Sequence, residues 1–369
     1  MLSATAPLTS ADSAFRRSAA GSADAKVILV TGANRKAGVG LGIVERLIEQ
    51  SEKASEPITV VMACRSKSKA EEARERLLGR YFPGANRAFG ERALQLLLVD
   101  LANTRSVFAA AAEFKRRFQR LDSLVLNAGV IPISHVSYAN GFKDVFTRPV
   151  TLALTGGDAI VQRVGSLTAE GLGESFASNV FGHYLLVREL EDLLSVAGDS
   201  RVIWTTSTSA NSEFGFDDIQ SLKSNHSYER CKRQCELIAL EMHNELSKRG
   251  IYSFLSSPGI LSSGILQDMF PALLLLVVMM IFRICGASGV NITGRNASTS
   301  AVYLSTVKNP NALDGTKIYH SEINFFGKRY VRQLSIDHGD PAKRREMLLQ
   351  LEALRRKFRD LAVSDGIID

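Results

Sequence analysis

Six short and nearly uninterrupted apolar runs are the feature that most constrains how this chain can fold. Longer stretches with helical periodicity separate them, and continuous apolar runs of this length are typical of parallel strands covered on both faces. Strand and helix alternating through short connections predict an α/β fold, a doubly wound parallel sheet with helices on both faces. The runs are KVILV (26–30), ITVVMAC (58–64), LQLLLVD (94–100), SLVLNAG (123–129), RVIWTTS (201–207) and IYSFLSSPG (251–259).

At 369 residues the chain is longer than one plain domain of about 100–200 residues. The strand–helix rhythm does not restart, so we expect a single domain over residues 26–340 with additions rather than a second domain. The additions are a disordered tail at 1–25, an insertion at about 131–168, an apolar segment at 269–282 and a basic amphipathic helix with its tail at 341–369.

The apolar segment 269–282 (MFPALLLLVVMMIF) has no charged residue. As a helix it is about 21 Å long, which is shorter than the ~30 Å hydrocarbon core of a bilayer. A buried core helix is one interpretation, and a helix lying in one leaflet of a membrane is the other. Because apolar side chains cover every face, we favour contact with a membrane surface.

The net charge and the spacing of possible metal ligands limit the kinds of partner that this chain can be expected to bind. The formal net charge is +7, but no basic patch interleaved with aromatic residues indicates a nucleic-acid partner. The six histidines never pair at metal-ligand spacing, and neither HExxH nor CxxC occurs, so we expect no metal site. The basic face of 341–369 is interpreted as solvated, with an anionic bilayer as the alternative.

A glycine-rich turn, TGANRKAGVGLG, follows the first apolar run. Gly32, Gly38 and Gly40 allow a tight turn and the close approach of a pyrophosphate to a helix N-terminus, which is typical of a Rossmann-type dinucleotide site. The second run ends at Arg65 rather than at an acidic residue. An arginine there accommodates the 2′-phosphate of NADP(H), with help from Lys67 or Arg35, whereas the alternative is a solvated loop arginine.

Three residues further along carry acid–base chemistry. Tyr228 and Lys232 are four apart at a predicted helix start, so they share one face, and Ser207 ends the fifth run. A free tyrosine exchanges its proton poorly at neutral pH, and a neighbouring lysine cation makes that exchange easier. A serine hydroxyl beside them can hold a carbonyl oxygen while tyrosine donates the proton.

The order of these motifs resembles the short-chain dehydrogenase/reductase superfamily over residues 26 to about 260. The resemblance implies that Asp100 bonds near the adenine, that Asn127 of the NAG motif steadies the sheet beside the cofactor, and that Asn179 holds a water in a proton relay. It implies that Ser207 orients the substrate carbonyl and that Tyr228 protonates it. Lys232 then binds the nicotinamide ribose, and Pro258 and Gly259 lie near the nicotinamide.

The glycine turn departs from the superfamily pattern. Five residues separate Gly32 from Gly38, where the pattern has three. We expect the two extra residues, around 35–37, to bulge outward while Gly38 and Gly40 keep their roles. The cofactor contacts of Asn34 and Arg35 stay open.

Four longer blocks carry a narrower resemblance: VMACRSKSKAEEA, FKRRFQRLDSLVLNAGVIP, LTAEGLGESFASNVFGHYLLVREL and RVIWTTSTSA. They are similar to the 3-keto-steroid reductase / 17-beta-hydroxysteroid dehydrogenase type 7 group of sterol C4 demethylation. This resemblance implies NADPH-dependent reduction of a sterol 3-keto group to the 3β-alcohol, at the cytosolic face of the endoplasmic reticulum membrane.

Other functions and assemblies stay open at this point. Reduction of another lipophilic carbonyl (a 17-ketosteroid or retinaldehyde) and a non-catalytic NADP-binding scaffold are the alternative functions. A homodimer, a membrane-bound monomer and a complex with other sterol-pathway enzymes are the possible assemblies.

Overall fold

A computed structural model describes residues 25–147, 157–210, 215–261, 277, 279–283 and 286–369. The predicted N-terminal tail, most of the apolar segment and the middle of the insertion lie outside these ranges. The described part of the chain is built around one eight-stranded sheet.

The sheet has the strand order β12-β11-β8-β7-β4-β1-β2-β3. Seven of these strands run parallel, and all six apolar runs of the sequence form strands in this parallel part. The Rossmann-like α/β fold is therefore confirmed. The strands are β1 (Lys26–Thr31), β2 (Ile58–Cys64), β3 (Leu94–Leu98), β4 (Ser123–Leu126), β7 (Ser200–Thr205), β8 (Ile251–Ser257), β11 (Lys317–Ile323) and β12 (Arg329–Ser335), with two short pairs formed by β5 (Ile133–Val136) with β6 (Ile160–Gln162) and by β9 (Ile260–Leu261) with β10 (Val290–Asn291).

The expectation of a wholly parallel sheet is wrong at one edge. β12 pairs antiparallel with β11, in a hairpin that the apolar runs did not predict. Neither strand is a continuous apolar run, and each has a physical reason for this. β12 covers a sheet edge and is exposed over most of its length, so it needs no continuous apolar run. β11 carries the polar residues His320, Ser321 and Glu322 on buried positions.

Helices cover both faces of the sheet because successive strand residues point to opposite sides. On one face, Leu124 and Trp204 pack with α4, α6, α8 and α11, and on the other, Val125 and Ile203 pack with α1, α2 and α10. The helices are α1 (Val39–Ala54), α2 (Lys67–Tyr81), α3 (Arg87–Ala93), α4 (Thr104–Arg117), α5 (Tyr138–Thr147), α6 (Glu174–Phe176, a π-helical turn Ala177–Phe181, then Gly182–Glu189), α7 (Glu191–Ala197), α8 (Ser227–Leu246), α9 (Gly294–Ala297), α10 (Thr299–Thr306) and α11 (Pro341–Ser364).

The terminal helix α11 is part of the core. Asp340 caps its start by accepting from Ala342 N at 2.8 Å, followed by the expected proline at the first helical position. Its apolar stripe is buried in the same cluster as α6 and α8 through Met347, Leu351 and Phe358. The predicted basic face is only partly solvated, because three of its arginines pair with carboxylates of the fold. They are Arg344 with Glu241 at 2.7 Å, Arg355 with Glu189 at 3.0 Å and Arg359 with Glu189 at 2.9 Å.

Only the end of the apolar segment is described. Met279 is buried, while Val277, Met280 and Ile281 are about half exposed. Among the described residues, no helix combines the length and the apolar character needed to cross a bilayer.

Candidate active site

A cleft of about 770 Å³ opens along the carboxyl ends of the parallel strands. In doubly wound sheets ligands bind at this edge, where the strand order reverses. The predicted catalytic and cofactor-binding residues line the cleft, apart from Asn179 and the lysine Lys67 named as a possible helper, although they come from seven separate parts of the chain. They are Gly32, Asn34, Gly38, Gly40, Arg65, Asp100, Asn127, Ser207, Tyr228, Lys232, Pro258 and Gly259.

The glycine turn forms a tightly packed floor at the N-terminus of α1. Gly32 has φ +70°, and a Cβ at Gly40 would lie 2.4 Å from the Gly32 carbonyl oxygen. A side chain at Gly32 would press on Ala128, and one at Gly40 would collide with the Gly32 carbonyl, so the turn can pack this closely only with glycine at both positions. Residues 35–37 are exposed, and Gly38 N donates to Arg35 O at 3.0 Å to close a turn. The extra residues thus face outward, as the sequence predicted.

Asn127 ties the NAG motif to the end of β1. Its Nδ2 donates to Thr31 O at 2.9 Å, and its backbone N donates to Thr31 Oγ1 at 2.9 Å. Behind Thr31 lies His183, whose Nδ1 contacts the Asn179 carbonyl at 3.2 Å and whose Nε2 contacts Thr31 Oγ1 at 3.1 Å. Burial lowers the pKa of His183 to about 3, so the ring is neutral. Nδ1 therefore donates to the carbonyl, which leaves Nε2 to accept from Thr31.

Tyr228 and Lys232 lie one turn apart at the start of α8. Lys232 is buried, and its Nζ donates to Thr205 O at 2.8 Å at the end of β7 while lying 5.7 Å from the Tyr228 ring centroid. Ser207 follows the same strand, and its Oγ is 2.8 Å from Ser209 Oγ. A tyrosine, a lysine cation and a serine hydroxyl therefore line one cleft with the chemistry to protonate a carbonyl oxygen.

Gln162, which the sequence did not single out, holds the start of α8. It is buried on β6, inside the insertion. Its Oε1 accepts from Tyr228 N at 3.0 Å and from Ser227 Oγ at 3.1 Å, and its Nε2 donates to Glu229 at 2.7 Å. The N-cap residue of α8 makes no side-chain capping bond, so Gln162 satisfies a free N–H of the first turn from outside the helix. No local spacing signals this contact, because 66 residues separate Gln162 from Tyr228.

Asn179 lies behind the cleft wall rather than on it. Its side chain accepts from Val130 N at 2.7 Å and donates to Val130 O at 2.8 Å, from within the π-helical turn of α6. It thereby fixes the backbone after the NAG motif. Its predicted role in holding a water stays a prediction.

The wall beside β2 and β3 carries charged groups. Arg65 is exposed there, and among the described residues no hydrogen bond or ion pair holds its guanidinium. Lys69 lines the same wall, whereas Lys67 lies 3.9 Å from Glu71. Lys69, and not Lys67, is therefore the lysine that lines the cleft wall beside Arg65. Asp100 accepts from Ala102 N at 3.1 Å, which closes the turn after β3.

Asn291, on β10, holds the loop of Pro258 and Gly259. Its Nδ2 donates to Pro258 O at 2.8 Å and to Ser321 O at 2.7 Å. Gly259 has φ +72°, and a Cβ there would lie 2.4 Å from the Gly289 carbonyl oxygen. The sequence did not predict this support, which comes from across the sheet.

One end of the cleft is apolar. Ile160 of β6 and Ile260 of β9 line it. Both pack against a small separate cluster formed by Met279 and Val290, as does Phe282. The described end of the apolar segment therefore contacts residues that form the cleft wall.

Comparison with known proteins agrees with this geometry. Residues 26–273 match the sequence model of the family described as short chain dehydrogenase. A Homo sapiens protein named 3-keto-steroid reductase/17-beta-hydroxysteroid dehydrogenase 7 is 32% identical over 89% of this chain and 93% of that protein. A 3-keto-steroid reductase of Kluyveromyces lactis is 33% identical over 85% of this chain and 89% of that protein.

A solved structure resembles the fold. L-sorbose reductase from Gluconobacter frateurii, in complex with NADPH and L-sorbose, covers 79% of this chain and 93% of its own, with a TM-score of 0.54 and 17% identity. At that identity the likeness concerns the fold alone.

Proposed function

Because the chain belongs to the short chain dehydrogenase family and is an oxidoreductase, we propose that it reduces the 3-keto group of a sterol intermediate to the 3β-alcohol with NADPH. The observation that carries the proposal is similarity along nearly the whole chain to proteins named 3-keto-steroid reductase. The apolar end of the cleft, at Ile160 and Ile260, supports a lipophilic substrate.

The residues of the cleft divide the reaction between them. When bound, NADPH supplies the hydride that the carbonyl carbon receives. The hydroxyls of Ser207 and Tyr228 bind the carbonyl oxygen, and Tyr228 gives it the proton that completes the alcohol. The ammonium of Lys232 stabilises the phenolate that remains, while Thr205 O and Gln162 hold Lys232 and the start of α8 in position.

The residues present fit a dinucleotide. Glycines at 32 and 40 let the turn pack closely at the N-terminus of α1, where it lines the cleft, and the N–H groups at the start of α1 favour an anion such as a pyrophosphate. Arg65 supports NADP(H) over NAD(H), since an unpaired guanidinium on the cleft wall suits a 2′-phosphate.

The proposal includes a membrane location, with the apolar segment 269–282 touching the cytosolic leaflet of the endoplasmic reticulum. Sterols partition into bilayers, and the described end of this segment packs on the cleft wall. A monomer on the membrane, a homodimer and a complex with other sterol enzymes are all compatible with it.

The test is purified protein with NADPH and a 3-ketosterol such as zymosterone, followed by sterol analysis. The expected product is the 3β-alcohol, formed with one NADPH oxidised per alcohol. Activity restricted to a 17-ketosteroid or to retinaldehyde would reject the sterol assignment and leave the reductase intact.

Tyr228→Phe separates an enzyme from a non-catalytic scaffold. It removes the proton donor while keeping the ring, so we expect turnover to fall at least a hundredfold with NADPH binding retained. Tyr138→Phe, on the exposed start of α5, serves as the control and should keep full turnover. Equal turnover in wild type and Tyr228→Phe would refute the catalytic assignment.

A further inference from the structure

The hairpin between β11 and β12 presents two phenylalanines to solvent. Phe325 is 74% exposed and Phe326 is 90% exposed, with ring centroids 5.7 Å apart. The turn does not need either ring, because Asn324 closes it. Asn324 N donates to Lys328 O at 2.9 Å, and its Oδ1 accepts from Lys328 N at 2.9 Å. Folding alone therefore gives no reason for two exposed aromatic rings here.

The end of the apolar segment is joined to this hairpin turn and also exposes apolar side chains. Arg283 donates to Asn324 O at 3.4 Å, which joins that segment to the hairpin turn. Just before Arg283, Met280 is 49% exposed and Ile281 is 55% exposed. Met280, Ile281, Phe325 and Phe326 are called the apolar patch below.

Positive charge borders the apolar patch. Lys328 and Arg329 come after the two rings, with Gly327 between, and both are exposed. The nearby carboxylate of Glu322 is buried and accepts hydrogen bonds from Ser288 at 2.8 Å and Tyr330 at 2.5 Å. Glu322 is thus engaged inside the fold rather than presented beside the two cations.

The apolar patch lies at the edge of the sheet where the cleft opens. β11 runs parallel to β8, with His320 paired to Ser257, so both strands end on the same side. Pro258 and Gly259, which follow β8, line the cleft. A flat partner on the apolar patch would therefore face the same edge as the cleft.

We propose that the apolar patch inserts into an anionic bilayer, with Lys328 and Arg329 on the lipid phosphates. Aromatic and aliphatic side chains bordered by lysine and arginine are typical of elements that lie in a membrane interface, and each cation adds attraction to anionic lipid. The hairpin is then a second membrane contact, independent of residues 262–276. This inference deepens the membrane location proposed above, and it holds whichever ketone is reduced.

Vesicle flotation with the full-length protein tests the hairpin. Wild type is compared with Phe325→Ser/Phe326→Ser on vesicles of phosphatidylcholine with 30% phosphatidylserine. We expect the double variant to lose at least tenfold in partition, because each ring removed withdraws a large apolar area from the bilayer. Leu349→Ser is the matched control, since Leu349 is 71% exposed on α11, away from the hairpin, and should bind like wild type.

The charge component has its own comparison. Lys328→Glu/Arg329→Glu should weaken binding about tenfold on vesicles with phosphatidylserine and much less on phosphatidylcholine alone. Unaltered partition of the Phe325→Ser/Phe326→Ser protein, with an unchanged melting temperature, would overturn the proposal. If the same variant partitions like wild type but forms a smaller oligomer, the proposal is also overturned, because the apolar patch would then be a protein interface.

Insertion can be read directly, because the single tryptophan, Trp204, is fully buried. In Phe326→Trp the added indole becomes the exposed reporter, and brominated phosphatidylcholine in the vesicles should quench it. Leu349→Trp should not be quenched. Equal quenching of the two would overturn insertion at the hairpin, and NADPH oxidation is assayed separately, so a failed reductase assignment does not affect this result.

Discussion

At the scale of single residues, the start of α8, which carries Tyr228, is bound by a side chain from a distant insertion. Gln162 is the acceptor for the Tyr228 backbone N–H and also binds Ser227 and Glu229. Three bonds to successive residues hold the first turn of α8 against the insertion. Because Tyr228 projects from that turn, its hydroxyl position follows the position of Gln162.

Gln162→Met keeps the length of the side chain and removes its hydrogen bonds. We expect kcat to fall by about tenfold to a hundredfold, since small misplacements of a reacting group are costly, and the dissociation constant of NADPH to stay unchanged, since Gln162 does not line the cleft. Gln119→Met, on an exposed residue, is the control and should match wild type. A lower melting temperature with unchanged kcat would indicate a purely structural role.

The proposed preference for NADP(H) is tested at Arg65, whose guanidinium has no partner among the described residues and lines the cleft. Arg65→Asp should raise KM for NADPH at least tenfold and lower KM for NADH, because the carboxylate repels the phosphate and accepts from a ribose hydroxyl. The measurement is initial rate against each cofactor. Lys67→Asp is the control, as Lys67 lies beside Glu71 rather than on the cleft. Equal KM values for NADPH in wild type and Arg65→Asp would refute the assignment.

At the scale of elements, α11 packs one face on the core of the domain and exposes the other face to solvent. Its inner side contributes Leu351, which is fully buried, while Leu349 two residues earlier is 71% exposed. Arg344 and Arg355 face buried or half-buried carboxylates instead of solvent. Removing one partner of such a pair would leave an uncompensated buried charge and destabilise the fold. The helix α11 is therefore part of the unit that folds cooperatively.

Two leucines of α11 test this docking. Leu351→Ala should lower the free energy of unfolding by about 2–5 kcal/mol, because it leaves a cavity in a packed core. Leu349→Ala should change it by less than about 0.5 kcal/mol. Both are measured by chemical denaturation of the full-length protein. Similar small effects for the two would mean that α11 does not pack on the domain in solution.

At the scale of the whole molecule, the apolar features gather at one edge of the sheet. The apolar end of the cleft, the described end of the apolar segment and the hairpin turn all belong to the carboxyl ends of β8 and β11 or contact them. An enzyme bound through this edge would open towards the leaflet that holds its substrate. A net charge of +7 adds a general attraction to anionic lipid.

This arrangement predicts that the source of the substrate matters. With a 3-ketosterol supplied in anionic vesicles, Phe325→Ser/Phe326→Ser should raise apparent KM at least fivefold. With a small water-soluble ketone, the variant and wild type should give the same KM, because the cleft is unaltered. Steady-state rates under the two conditions provide the measurement. An equal rise of KM on both ketones would place the defect in the cleft instead of in membrane binding.

The sequence by itself determined the parallel core, the glycine cradle and the set Ser207, Tyr228 and Lys232. Apolar runs, a glycine-rich turn and a four-residue helical spacing are local features of the chain, so one sequence is enough to identify them. Only the tertiary structure decided that Gln162 holds the start of α8, that Asn291 holds the loop after β8 and that α11 packs on the core. It also brought Phe325 and Phe326 next to the apolar segment. These contacts join residues far apart in the chain, and their partners are chosen by packing rather than by spacing.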